Sequence, residues 1–184
     1  MEFSTRERER LKAIIKENSI LFGEFRLSSG KKSHYYIDAR LTTLHPEGLY
    51  LIGKILLGEI AKHPVIKAVG GPSIGADPIV GSIVSLSYQT GHPLKGFLVR
   101  KGEKQHGTGK LIEGSLQPGD RVAVVEDVVT TGNSILKAIE ALSKNGVYTE
   151  KVLVVVDRKE GAREKLQSMG YDFFSVFDID ELIS

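Results

Sequence analysis

The stretch Arg121–Ser134, RVAVVEDVVTTGNS, constrains the fold of this chain more than any other. Val122-Ala123-Val124-Val125 is a near-continuous apolar run rich in β-branched residues, the pattern of a parallel strand covered on both faces. Beyond Gly132, Ile135, Leu136, Ile139 and Leu142 recur at helical spacing. Between strand and helix stand two adjacent carboxylates, Glu126 and Asp127, and a polar turn. A strand that hands over to a helix in this way belongs to an α/β sheet, and such sheets bind ligands beyond the carboxyl ends of their strands. The turn Thr130-Thr131-Gly132-Asn133-Ser134 offers a glycine, hydroxyl donors and the free N–H groups of a helix start, which together suit a phosphate. The carboxylates repel phosphate but accept hydrogen bonds from sugar hydroxyls, so the stretch as a whole points to a phosphorylated sugar.

The remaining elements extend the same architecture. Ser4 and Glu7 form a capping box for a helix to about Glu17, and the charges of RERER read as its solvated face. Alternation on either side of Gly30-Lys31-Lys32 predicts a hairpin from Glu24 to Arg40, in which the adjacent Tyr35 and Tyr36 face opposite sides. A helix from Pro46 to about His63 precedes a buried strand, Val65 to Val69, whose end is a second glycine-rich loop, Gly70 to Pro78. A helix from Ile79 to about Tyr88 and a strand from Leu94 to Val99 follow. The long loop Arg100 to Gly114 then gathers Arg100, Lys101, Lys104 and Lys110, with His106, against Glu103. Such concentrated charge suits an anion that arrives and leaves, and Gly102, Gly107 and Gly109 give the loop freedom to move. After the helix Asn133 to about Lys144, a strand from Lys151 to Val156 ends in Asp157-Arg158-Lys159-Glu160-Gly161, where Arg158 can hold a carboxylate bidentately or pair with Asp157 or Glu160. A helix to about Met169, a strand from Tyr171 to Val176 and a short turn capped by Asp178 complete the chain.

The expected fold class is therefore α/β, a mostly parallel sheet flanked by helices in a single domain, 1–184, to which residues 1–40 add a helix and a small N-terminal hood. The net charge of +2 does not favour nucleic acid or a membrane as partner, and no aromatic side chain lies among the basic residues of the loop to stack on bases. With no cysteine, disulfides and thiolate chemistry are excluded. The charged N-terminus is unlike a signal peptide, and a cytoplasmic location is expected.

The string VVEDVVTTGNS resembles the signature of the type I phosphoribosyltransferases. Three further stretches, FRLSSGKKSHYYIDAR, RKGEKQHG and VDRKEG, resemble the hood, catalytic loop and base-binding turn of the branch that uses orotate. The resemblance implies that Glu126 and Asp127 hold the ribose of 5-phosphoribosyl 1-pyrophosphate and that Val128 to Ser134, including Val129, Thr130, Thr131, Gly132 and Asn133, surround its 5′-phosphate. It places Ser73, Ile74 and Gly75 in a pyrophosphate loop, and Tyr35, Tyr36, Thr130 and Arg158 around orotate. It implies that Arg100, Lys101, Lys104 and His106 reach the pyrophosphate of a neighbouring subunit in a homodimer, with Lys104, Arg100, His106 and Asp127 taking part in catalysis. Mg²⁺ is expected as cofactor, carried by the substrate with no direct protein ligand. The chain departs from many members at Ser28 and Gly75, where lysines are common, so no cationic contact is expected from those positions. Two other readings are a purine phosphoribosyltransferase, which has no need of Arg158 or the tyrosine hairpin, and a nucleic-acid-binding regulator that senses phosphoribosyl pyrophosphate.

Overall fold

The fold follows from burying β-branched runs on both faces of one sheet. The computed structural model describes residues 4–26, 32–102 and 111–184. In chain order it contains α1 (Thr5–Asn18), β1 (Ile20–Arg26), β2 (Lys32–Ile37), α2 (Arg40–Thr43), α3 (Pro46–Ile60), β3 (Ala68–Pro72), α4 (Ala76–Gln89) and β4 (Lys95–Val99). These are followed by β5 (Ile112–Gly114), β6 (Arg121–Val129), α5 (Asn133–Lys144), β7 (Tyr148–Asp157), α6 (Ala162–Ser168), β8 (Asp172–Asp178) and α7 (Ile179–Ile183). The main sheet has the order β5-β4-β3-β6-β7-β8 and is parallel except for the β4–β5 pairing, while β1 and β2 form a separate antiparallel hairpin.

Alternation along β6 shows why the sheet needs helices on both sides. Ala123 and Val125 are buried in one core with Ile52, Ile55 and Leu56 of α3 and Ile79 and Ile83 of α4. Val122 and Val124 are buried in the other with Ile135, Ala138 and Leu142 of α5 and Leu166 of α6. The chain leaves β3 through α4 towards β4, but leaves β6 through α5 towards β7, in the opposite direction along the sheet. The crevice between the ends of β3 and β6 is therefore a topological switch point, where open α/β sheets place their ligands.

Several expectations are corrected. The strand expected at Val65–Val69 is Ala68–Pro72: its glycines are not loop residues but pack where any side chain at 70 would run into Phe97 and any at 71 into the Val125 carbonyl. Helix α4 begins at Ala76 because its first turn tolerates Pro78. Part of the expected loop is strand β5, which pairs Val99 with Ile112; Arg100 N–H also donates to the Leu111 carbonyl at 2.9 Å. On β5, Glu113 lies 3.5 Å from Arg100 Nη1, so the positive excess of the stretch from Arg100 to Gly114 is smaller than a count with Glu103 as its one acid. The capping box at Ser4 is present, but RERER is not simply a solvated face. Arg8 bonds Glu181 at 2.7 Å, donates to the Val176 carbonyl at 2.9 Å and lies over Phe177, tying α1 to β8 and α7.

Candidate active site

Strand β6 runs further than its apolar part, because β7 continues to pair with it through Val128↔Val156 and Val129↔Asp157. Glu126 and Asp127 consequently lie within the strand and project to opposite sides. Glu126 turns towards α5, where Ser134 Oγ donates to its Oε2 at 2.5 Å. Asp127 turns towards α4 and accepts from the Val128 N–H at 2.7 Å. The side chain of Val129 is core, and its carbonyl receives the Arg158 N–H at 3.0 Å, which joins the phosphate turn to the next strand-end turn.

Both carboxyls are shifted upwards. Burial pushes Glu126 to about 7, against the bond from Ser134, with nearby Asp127 adding to the rise and Lys101 opposing it. Burial also raises Asp127, opposed by its backbone hydrogen bonds and by the Arg40 guanidinium. The folded value for Glu126 stands above the ordinary 4.5, so this group stabilises the fold relative to its ionised form below pH 4.5, and that contribution is lost as pH rises through about 7. Glu126→Gln is therefore expected to stabilise the unliganded protein at pH 8 by up to about 3 kcal/mol. Urea melts should show the gain fading towards acid pH, and a variant no more stable than wild type at pH 8 would contradict it.

The phosphate turn has the backbone that its sequence requires: Gly132 sits at φ 74 as the N-cap of α5, and the Leu136 N–H donates to its carbonyl at 3.0 Å. Thr130 is half-buried, whereas Thr131, Asn133 and Ser134 are exposed, and Asn133 Oδ1 accepts from Lys165 Nζ at 3.0 Å. Across the switch point, Ser73 N–H donates to the Val99 carbonyl at 2.9 Å and Ile74 is 69% exposed; the peptide between them is cis. Gly75 explains one departure noted above. A Cβ built on it would lie 2.6 Å from Asp127 Oδ1, so any side chain at 75, lysine included, must displace that carboxylate. The φ of −59° at this position strains no residue, so the effect is one of space alone. Gly75→Ala should lower kcat/KM for the phosphoribosyl donor by about 10- to 100-fold, the cost of shifting a positioned group. A wild-type value in steady-state kinetics would show that Asp127 moves aside freely.

Of the two tyrosines, the structure brings one to the site. Tyr35 is half-buried, and the Arg158 guanidinium lies 5.3 Å from its ring centroid. Tyr36 is 38% exposed and packs against Phe25 with ring centroids 5.7 Å apart, so it does not join Tyr35 at Arg158. The Arg158 side chain is 9% exposed; its Nε lies 3.1 Å from Glu160 Oε1 but makes no hydrogen bond. A nearly buried guanidinium beside an aromatic face, ion-paired with Glu160 but not hydrogen-bonded to it, suits exchange onto a planar carboxylate. Arg100 and Lys101 are exposed at the edge of a cleft of about 470 Å³ that also touches Asn133, Ser134 and Lys137. Lys104, His106 and Ser28 lie outside the described residues.

One group of charges was not anticipated from the sequence. Arg40, the first residue of α2, makes a bidentate pair with Asp38 at 2.8 Å for each bond. Its guanidinium is close enough to Asp127 to oppose the burial-driven rise of that carboxyl. The short α2 has no apolar period of its own, and the DAR triplet alone carries no signal of a site.

A switch-point crevice with ribose-type carboxylates on one strand, a glycine-opened phosphate turn after them and a second loop facing them defines a phosphoribosyltransferase, and residues 84–179 match the family model described as "Phosphoribosyl transferase domain". The chain is 47% identical over 180 residues to the orotate phosphoribosyltransferase of Aquifex aeolicus, covering 96% of this chain and 98% of that one. It is 43% identical to that of Pyrococcus abyssi, over 95% and 93% of the two chains. The crystal structure of the Mycobacterium tuberculosis enzyme in complex with 5-phospho-α-D-ribosyl 1-diphosphate superposes with a TM-score of 0.79 at 38% identity, covering 96% of this chain and 98% of that one. The chain belongs to the orotate phosphoribosyltransferases.

Proposed function

We propose that the enzyme transfers the phosphoribosyl group of 5-phosphoribosyl 1-pyrophosphate to orotate, giving orotidine 5′-monophosphate and pyrophosphate in pyrimidine synthesis. The observation that carries the base assignment is Arg158, nearly buried over Tyr35 just past the end of β7, where its Nε is ion-paired with Glu160 at 3.1 Å without a hydrogen bond and can exchange onto a substrate carboxylate. Orotate carries a carboxylate and purine bases do not, so a purine enzyme would bury this charge to no purpose.

In this reading the 5′-phosphate lies against Thr130 to Ser134 at the start of α5, and the ribose hydroxyls donate to Glu126 from one side of β6 and to Asp127 from the other. Ionising Glu126 when the sugar binds releases a proton at neutral pH, because its free-state value is about 7. The pyrophosphate faces Ser73 to Gly75. Orotate N1 bonds to C1′ as the bond from C1′ to the pyrophosphate oxygen breaks, with positive charge spreading over the ribose on the way and the N1 proton passing to the departing pyrophosphate. Arg158 and Tyr35 hold the orotate ring in line, while Arg100, Lys101, Lys104 and His106 meet the charge that develops on the leaving group.

Among the described residues no group of three or more histidines or carboxylates could hold a metal ion, and the pair on β6 diverges. The two β6 carboxylates, turned to opposite sides and suited to ribose hydroxyls, fit a Mg²⁺ carried by substrate oxygens and water with no direct protein ligand. When bound, the ion would supply neutralisation of the departing pyrophosphate.

We also propose a homodimer in which the loop from Arg100 serves the partner's site. Leu41 on α2, Leu44 at its C-terminal cap and Tyr50 on α3 expose apolar surface that a second copy would cover. No helix among the described residues is long and apolar enough to cross a membrane, and a cytoplasmic location is part of this reading. Incubating the protein with the phosphoribosyl donor, Mg²⁺ and either orotate, hypoxanthine or adenine tests the assignment. Orotidine 5′-monophosphate should form and no purine nucleotide should; the reverse would overturn it.

A further inference from the structure

The turn that carries Arg158 is held in an unusual shape by a residue with no direct path to substrate. Lys159 stands at φ 56, in the left-handed region that a non-glycine residue enters only when something keeps it there. That something is Asp157. Its side chain is fully buried at the shared end of the β6–β7 and β7–β8 ladders, where it pairs with Val129 and Asp178. Its Oδ1 accepts the Lys159 N–H at 2.8 Å, and its Oδ2 accepts Arg163 Nε at 3.1 Å. Arg163 also donates to Ser175 Oγ at 2.8 Å and to Asp178, which braces the carboxylate against β8. On the other side of Arg158, its own N–H is fixed to the Val129 carbonyl at 3.0 Å. The backbone is thus clamped on both sides of Arg158, whose guanidinium lies over Tyr35.

We infer that Asp157 is a positioning residue for orotate recognition: by pinning the Lys159 N–H it locks the 158–161 turn in its left-handed conformation and so aims the Arg158 guanidinium at the substrate carboxylate. A packing role alone would predict a loss spread evenly over both substrates. Aiming predicts a loss confined to orotate, and one that returns when the turn no longer needs the pin.

The inference rests on the assignment of Arg158 to the orotate carboxylate, so Arg158→Ala runs in the same steady-state assay on the full chain. Lys159→Val places a β-branched residue at an exposed position that resists φ 56, and should raise the orotate KM by roughly tenfold or more with the KM for the phosphoribosyl donor within about twofold of wild type. Asp157→Ala should do the same. Glycine adopts this conformation without help, so Asp157→Ala combined with Lys159→Gly should recover most of the orotate KM. Lys159→Gly alone, which loses the same pairing with Asp180 as the valine variant, should behave as wild type. Asp157→Asn keeps an acceptor for the Lys159 N–H and should stay close to wild type; an orotate KM as high as that of the alanine variant would move the role to the Arg163 pairing and overturn the inference. A wild-type orotate KM for Lys159→Val overturns it as well, and that surface variant decides the matter if Asp157→Ala does not fold. If Arg158→Ala itself leaves the orotate KM unchanged, the Arg158 assignment falls and this inference falls with it. If Arg158→Ala raises that KM and Lys159→Val does not, only the turn lock is lost.

Discussion

Arg158→Ala should raise the KM for orotate by roughly 10- to 100-fold, the range that corresponds to one charge-assisted hydrogen-bonded pair. The KM for the phosphoribosyl donor should stay near its wild-type value. The selectivity follows from place: Arg158 opens the turn after β7 and lies over Tyr35, whereas the sugar and phosphate sites of this reading lie on β6 and the turn after it. Losing the guanidinium breaks an ion pair with Glu160 that lacks a hydrogen bond and whose carboxylate is one-third exposed, so the unliganded protein should lose little stability, and Arg158 shows its worth when the carboxylate arrives. Arg158→Lys keeps the charge but not the planar fork and should recover only part of the affinity. An orotate KM that does not move would remove Arg158 from the base site.

Lys104→Ala should act on the other parameter, lowering kcat by about 10²- to 10³-fold while orotate binding barely changes, as expected when a donor aimed at developing charge is removed. The pairing of Val99 with Ile112 and the bond from Arg100 N–H to Leu111 bring both ends of the span 101–110 together at the carboxyl edge of the sheet, next to β3 and the Ser73–Gly75 loop. Arg100 and Lys101 stand at that root of the loop, and Lys104 follows them in sequence outside the described residues. A kcat within a fewfold of wild type would assign the leaving group to other cations, of which Arg40 beside Asp127 is the one the structure brings forward.

Much of the fold was legible because the parallel strands are apolar on both faces and the helices carry strong period. The span of α5, Asn133–Lys144, agrees with its spacing, and the capping residues Ser4 and Asp178 stand where expected. Boundaries failed where tertiary pairing overrode local chemistry. Gly70-Gly71-Pro72 looks like a loop in isolation, yet the absence of side chains at Gly70 and Gly71 is what lets β3 pack between β4 and β6. Glu126-Asp127 looks like the end of a strand, but pairing with β7 carries the strand past it and sends the two carboxylates to opposite sides. The strand period separates Tyr35 from Tyr36, and the structure shows which of them meets Arg158. What could not be read were contacts between distant segments: Gly75 against Asp127, Arg40 near Asp127, and Arg163 bracing Asp157 against Asp178. None has a local pattern, because each depends on where a second element ends.

The central claim is that Arg158, set over Tyr35, reads the carboxylate of the incoming base. A crystal structure of the protein with orotate and pyrophosphate tests it most directly. The account predicts the orotate carboxylate at about 3 Å from the Arg158 guanidinium with the ring against Tyr35, facing the ribose position between Glu126 and Asp127. Orotate bound with its carboxylate turned away, and Arg158 still alongside Glu160, would contradict it.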